Sequence, residues 1–184
     1  MTKKALIAYG TRFGATAGTS TEIANVLQNE GFDVRMVNVK KEKIDDISGY
    51  DLVIVGSGVM INRWTSEPEK FLRKFQKELA NKKVALFVSS GGLALLEHEG
   101  KTEEIESTRS KYLEKKAAKY NLHPVAIGLF GGVWDLNHKP WWSGKAMGAI
   151  KQKLEEAGIQ EVQPGVYDTR DWDTIRAWAK RLVD

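Results

Sequence analysis

The sequence predicts an α/β fold: a three-layer, doubly wound arrangement around a five-stranded parallel sheet of strand order 2-1-3-4-5, in a single domain spanning residues 1–184. Three observations lead there. Short, continuous apolar runs of strand length alternate with segments of helical periodicity, and that alternation implies a parallel sheet with right-handed crossovers. The first such run ends at Gly10 in a loop rich in glycine and hydroxyl residues, and in a doubly wound sheet ligands bind beyond the carboxyl ends of the strands. No linker, repeat or low-complexity stretch divides the 184 residues, a length that buries a substantial core without staples.

Taken in order, Ala5-Leu6-Ile7-Ala8-Tyr9 reads as a strand covered on both faces. Thr19-x-x-Glu22 reads as a capping box, and Ile23, Val26 and Leu27 give the apolar face of a helix closed by Gly31. Phe32 to Val39 alternates as an edge strand does, and Asp51 to Gly56 is a second fully apolar strand. Ser66-x-x-Glu69, with Pro68 in the first turn, opens a helix that turns Phe71, Leu72, Phe75 and Leu79 inward. Lys83 to Ser89 is a third buried strand. Thr102, with Glu103 and Glu104, starts a charged helix carrying Ile105, Tyr112, Leu113, Ala117 and Tyr120. Val125 to Phe130 is the last strand. Ser143 caps a helix bearing Met147, Ile150 and Leu154 and ended by Gly158, and a final helix from about Asp171 aligns Ile175, Trp178, Ala179 and Leu182.

The loop after the first strand carries Thr11, Gly14, Thr16, Gly18, Thr19, Ser20 and Thr21, with one charge at Arg12. Strand, loop and helix together aim backbone N–H groups, hydroxyls and the positive helix end at one spot above the sheet edge, which suits a phosphate. The triphosphate signature G-x-x-x-x-G-K-[ST] is absent, no G-x-G-x-x-G follows the strand, and the loop holds no lysine. Neutral amides and hydroxyls match a single phosphate monoester better than a polyphosphate. Capping alone accounts for Thr19 or Thr21, but not for Thr11, Gly14 and Thr16 before them.

Tyr9-Gly-Thr11-Arg12-Phe13-Gly14-Ala15-Thr16 resembles the flavin-mononucleotide phosphate loop of the flavodoxins, T-x-T-G-x-T, with Phe13 where a threonine often stands. The Arg12-Phe13 pair resembles the branch of that family containing the menaquinone-linked protoporphyrinogen oxidases. Gly56-Ser57 with Arg63-Trp64, and Asp171-Trp172, match that branch more loosely. Ala17 to Thr21 stand as about five extra residues before the helical pattern resumes at Glu22, so the hydroxyls on the phosphate are either Thr16 and those before it or Thr19 to Thr21.

The resemblance implies FMN as cofactor, with Thr11, Arg12, Phe13, Gly14, Ala15 and Thr16 at its phosphate. Two further loops, Ser57 to Trp64 after the third strand and Ser89-Ser90-Gly91-Gly92 after the fourth, then sandwich the ring. Ser57, Gly58, Ser89, Ser90, Gly91 and Gly92 are small enough to let backbone amides approach it. Trp64 is the one aromatic of these loops and either stacks on the ring or covers the start of the next helix. One ring face is then open. After the fifth strand, Gly131 to Trp142 carries Trp134, Asp135, His138, Lys139, Trp141 and Trp142, readable as a platform for a flat substrate or partner, as an interfacial membrane contact, or as a hydrophobic staple on the following helix.

Composition bounds the function. There is no cysteine, which excludes disulfides, iron–sulfur clusters, thiolate zinc sites and thiol redox chemistry, so electron chemistry requires a bound cofactor. His98, His123 and His138 lack metal spacing, and no residue set is assigned a catalytic role. No run approaches membrane-spanning length and a strand begins within a few residues, so a cytoplasmic location is expected. The net charge of +4 is too small to argue for nucleic acid but allows an acidic protein partner or an anionic substrate. Two functions follow from the resemblance: carriage of electrons for a redox partner protein, or direct oxidoreductase action on a quinone or flat aromatic (porphyrinogen-like) substrate. A phosphoacceptor switch shares the strand order but needs carboxylates that Tyr9-Gly10 and Val55-Gly56-Ser57 do not supply.

Overall fold

The structure, a computed structural model, describes residues 2–60, 63–138 and 144–183, with Met60 described by its backbone. Five long strands form the expected parallel sheet: β1 (Lys4–Gly10), β2 (Asp33–Asn38), β3 (Leu52–Met60), β5 (Lys83–Ser90) and β6 (Ala126–Gly131). Their order is β2-β1-β3-β5-β6, which is 2-1-3-4-5 when only long strands are numbered. Four short strands were not anticipated. Arg63–Trp64 (β4) folds back antiparallel on the end of β3, while Val133–Asp135 (β7), Glu161–Gln163 (β8) and Val166–Asp168 (β9) make a separate antiparallel sheet of order β7-β9-β8.

The apolar runs are buried as continuous runs require, with Ala5 to Ala8, Val53 to Val55 and Ala85 to Val88 fully covered. Their two-residue period divides the core. Leu6, Ala8, Val53, Val55 and Leu86 face Phe71, Leu72, Phe75, Leu79 and Leu113 on one side. On the other, Ala5, Ile7, Ile54, Ala85 and Phe87 meet Ile23, Leu27, Ile175 and Trp178. Helix α1 (Ala15–Asn29) and the last helix, α8 (Trp172–Lys180), share that second side. The first side carries α2 (Ser66–Lys74), α3 (Gln76–Leu79), and a run made of α5 (Thr102–Arg109), a π-helical turn (Ser110–Glu114) and α6 (Lys115–Lys119). A short helix, α4 (Leu93–His98), precedes α5; α7 (Gly144–Glu156) covers the small sheet, where Leu136, Leu154 and Tyr167 form a third apolar cluster with Trp134 and Ile150 against it.

Two ends behave as the sequence implies. Gly31, at φ 85°, closes α1: its N–H donates to the Gln28 carbonyl at 3.0 Å and that of Phe32 to Leu27 at 3.0 Å. Asp171 caps α8, accepting from Asp173 N at 3.0 Å and Thr174 N at 3.1 Å.

Both capping boxes fail. Helix α1 starts at Ala15, and Thr19, Ser20 and Thr21 lie inside it, donating back to the carbonyls of Ala15 (3.2 Å), Thr16 (2.8 Å) and Ala17 (3.1 Å). Residues 17–21 are therefore helix rather than a loop extension, and each of their hydroxyls finds an acceptor one turn back. At α2 the cap position is Thr65, not Ser66. Ser66 Oγ donates to Glu67 at 2.8 Å, and Glu69 turns away to Lys116, Lys119 and Tyr120. Strands β3 and β5 also run further than expected, so Ser57, Gly58, Ser89 and Ser90 belong to strand ends rather than loops. The proposed cap at Ser143, and Lys139, Trp141 and Trp142, lie outside the described residues.

Candidate functional site

The carboxyl ends of β1, β3, β5 and β6 meet around one cleft at the switch point. Thr11, Arg12, Phe13, Ala15 and Thr16 form its first wall. Gly58, Val59 and Thr65 form the second, and Ser89 and Gly91 with Gly132 and Val133 the third.

The first wall is the start of α1. Gly14 takes the cap position at φ 90°, a left-handed conformation that favours glycine, and its N–H donates to Thr11 Oγ1 at 2.9 Å. Thr11 thereby folds the loop back on itself. No side chain caps α1 and its first turn holds no acid, so the opening N–H groups and the positive helix end face the cleft without a protein anion. Such an end binds phosphate. Thr16, Thr19 and Ser20 are all buried, but Thr16 lines the cleft, whereas Thr19 and Ser20 do not and are bonded to α1's own carbonyls. Of the two sets of hydroxyls the sequence left open, the first, Thr11 and Thr16, lines the cleft. Arg12 and Phe13 are exposed at the rim, the guanidinium 5.6 Å from the ring centre, and Phe13 is 6.4 Å from His138.

The second wall depends on small residues. A Cβ on Gly58 would stand 3.3 Å from Thr16 Oγ1, and one on Gly10 only 2.6 Å from the Pro68 ring and Thr65 Oγ1, so β1 and β3 approach α1 and α2 closely. Ser57 is turned inward: its Oγ accepts from Thr65 N at 3.0 Å and lies 3.0 Å from Thr65 Oγ1, pinning the β3–β4 hairpin. Trp64 is 3% exposed, its indole N–H donates to the Tyr112 carbonyl at 2.8 Å, and the Lys116 ammonium lies 5.3 Å over its ring. A stacking partner needs an exposed face, and Trp64 has none; the structure puts it on the packing side of its two readings.

On the third wall, Ser89 Oγ is buried without a hydrogen-bond partner, as is the Trp178 indole nitrogen within the core. A buried hydroxyl without a partner costs about 1–3 kcal/mol, and unlike Trp178, Ser89 lines the cleft. Gly91 is small for a neighbour within the protein: Trp134 donates its indole N–H to the Gly91 carbonyl at 2.7 Å, and a Cβ would meet that nitrogen at 2.9 Å. Trp134 packs on the small-sheet cluster with Leu136 and Tyr167. Ser90 and Gly92 do not line the cleft, and Gly92 sits at the cap of α4.

Sequence reasoning missed Thr65, Val59, Gly132 and Val133. Thr65 follows Trp64 directly, and Gly132 lies in the Gly131–Trp142 segment after the fifth strand, so a signal for both was present. Asp135 receives His138 Nδ1 at the far rim, and that contact with the Asn137 N–H holds its carboxyl below the ordinary range. Among the described residues the cleft lining contains no carboxylate and no imidazole. Among the described residues no group of three or more histidines, aspartates or glutamates is placed to hold a metal ion. No helix among them is long and apolar enough to cross a membrane.

Residues 6–158 match the family model described as a flavodoxin domain. A curated flavodoxin of Clostridium beijerinckii is 33% identical over 87 residues, a match covering 46% of this chain and 63% of the relative. Among solved structures, a short-chain flavodoxin associated with a non-canonical PDU bacterial microcompartment superposes at a TM-score of 0.61 and 13% identity, over 98% of this chain and 97% of that one. The rubredoxin oxygen:oxidoreductase of Desulfovibrio gigas superposes at 0.57 and 16% identity, over 98% of this chain but only 35% of its own length. At such identities the structural likeness speaks to the fold.

Proposed function

Since the chain belongs to the flavodoxin family, we propose that it binds FMN without a covalent link and carries electrons to or from a partner protein or small substrate. The observation that carries this reading is the pairing of two unsatisfied features across one cleft. On one side stands the uncapped, acid-free start of α1; on the other, the orphaned Ser89 hydroxyl. The first suits the phosphate and the second a polar atom of the ring system, so the residues present fit the group.

Bound FMN supplies the electron chemistry, which the side chains of this cleft cannot. The contributions of the chain are binding and orientation. Gly14 opens α1 toward the phosphate, Thr16 adds its hydroxyl beside Gly58, and the Ser57–Thr65 pair keeps the hairpin wall in place.

A second reading, direct oxidoreductase action on a quinone or flat aromatic substrate, is favoured by one observation. With Trp64 in the core and Phe13 at the rim, no aromatic from the two ring loops covers the cleft, leaving room for a small molecule against one face.

The visible absorption spectrum of freshly purified protein, followed by FMN titration of stripped protein, tests the proposal. Flavin bands and saturable quenching of flavin fluorescence are expected. Thr16→Asp sets a carboxylate against the phosphate and is expected to purify colourless; a variant retaining full flavin occupancy would count against the placement. Steady-state reduction of quinones, set beside transfer to a one-electron acceptor protein, separates the two readings.

A further inference from the structure

Strands β8 and β9 of the small sheet and helix α8 lie beyond residue 158, where the family match ends, yet this segment reaches back to the cleft. We propose that Arg170, at the corner between β9 and α8, is a positioning residue for the phosphate loop, holding the first turn of α1 in the shape that presents its N–H groups. The inference rests on the FMN reading.

The contacts are specific. Arg170 Nη1 donates to the carbonyl of Ala15, the first residue of α1, at 3.1 Å. Its Nε and Nη2 donate to the two oxygens of Asp168 at 2.8 and 2.6 Å, and its backbone N–H to Asp168 at 3.0 Å. The guanidinium also lies 4.4 Å from the Trp172 ring centre, and the side chain is only 13% exposed. A planar fork fixed by a bidentate carboxylate and an aromatic face has little freedom left, so its Nη1 is held at one place.

The first turn of α1 is shaped to receive it. A Cβ on Gly18 would stand 2.3 Å from Arg170 Nη1, so the glycine is there to admit the guanidinium. The neighbouring Thr169 ties down the opposite wall: its N–H donates to the Gly132 carbonyl at 2.9 Å, and Gly132 N–H donates to its hydroxyl at 3.0 Å. Residues 168–170 thus fasten the phosphate wall and the third wall to one corner. Burial pushes the Asp168 carboxyl up, but the bonds from Arg170 outweigh it and hold it below the ordinary range. Asp168 offsets the guanidinium charge, and Arg170 acts by position.

Position is separable from general stability by comparing FMN with riboflavin, which lacks the phosphate. Dissociation constants for both flavins are measured on stripped full-length wild type, Arg170→Met and Arg170→Lys, with thermal melts alongside. Arg170→Met is expected to weaken FMN by about tenfold while riboflavin changes less than about twofold, since only the phosphate end loses its support. Arg170→Lys, keeping the charge but not the fork, is expected to recover only part of the loss. Should Arg170→Met not fold, Arg170→Lys decides alone by the same ratio. An unchanged FMN-to-riboflavin ratio, whether both affinities hold or both fall together, overturns the role. Wild-type protein that binds neither flavin overturns the FMN reading and this inference with it.

Discussion

Ser89→Ala is expected to make the flavin-free protein more stable and the flavin complex weaker. The serine sits at the carboxyl end of β5, 5% exposed, with its Oγ buried and without a partner. In the empty cleft that hydroxyl contributes only its desolvation cost, about 1–3 kcal/mol. Alanine differs by that one atom, so the backbone ladder pairing Ser89 with Gly58 and Phe130 is kept and no cavity of note opens. A gain of about 1 kcal/mol corresponds to a melting point raised by about 2–4 °C at this chain length. On FMN binding the wild-type hydroxyl gains a partner worth about 0.5–1.5 kcal/mol net, a factor of about 2–12 in affinity that the variant forgoes. Differential scanning calorimetry of stripped protein and fluorescence titration with FMN read the two signs separately. A variant melting below wild type and binding FMN equally well would refute the reasoning, since the hydroxyl would then be a structural group facing no ligand.

Two further substitutions probe the frame of the site. Trp64→Phe removes the indole N–H that meets the Tyr112 carbonyl and part of a nearly fully buried ring. It is expected to cost about 1–3 kcal/mol in urea unfolding while leaving the bound-flavin spectrum unchanged, and a shifted spectrum would return Trp64 to the ring. Glu69 joins α2 to α6 through Lys119 at 2.7 Å, Lys116 at 3.0 Å and Tyr120 at 3.0 Å. Burial raises its pKa, but hydrogen bonds from Lys119, Lys116 and Tyr120 prevail and hold it at about 2. A depressed carboxylate stabilises fully above its unfolded value near 4.5, and that contribution fades as pH falls toward 2. After allowance for screening, Glu69→Gln is expected to lower unfolding free energy by about 1–2 kcal/mol at pH 7, with the gap closing below about pH 4. A gap that stays constant from pH 7 to pH 3 would exclude the carboxylate as its cause.

Where the sequence was misleading, the competing physics is identifiable. Thr19-x-x-Glu22 has the residues of a capping box, but a hydroxyl can serve equally well one turn inside a helix by donating to an i−4 carbonyl, and residues 19–21 do so. Ser57 follows the apolar run Asp51 to Gly56, and its small size suits a loop whose amides approach a ring. Its hydroxyl is satisfied instead by Thr65, which allows β3 to continue to Met60. Gly91 is small, as expected, but for the indole of Trp134, 43 residues away.

What the sequence determined by itself was what local period governs, the five long strands and the helices between them, together with a lysine-free, hydroxyl-bearing loop after the first strand where an anion can rest; the order 2-1-3-4-5 followed from the doubly wound topology that alternation implies. Apolar spacing and turn chemistry act over a few residues, so a single chain displays them. Only the tertiary structure decided which of those hydroxyls faces the cleft, that Trp64 closes the core, that Ser89 is left without a partner, and that Arg170 grips a carbonyl 155 positions earlier. Such contacts depend on which surfaces the crossovers bring together, and a guanidinium or an indole carries the same letter wherever its partner lies.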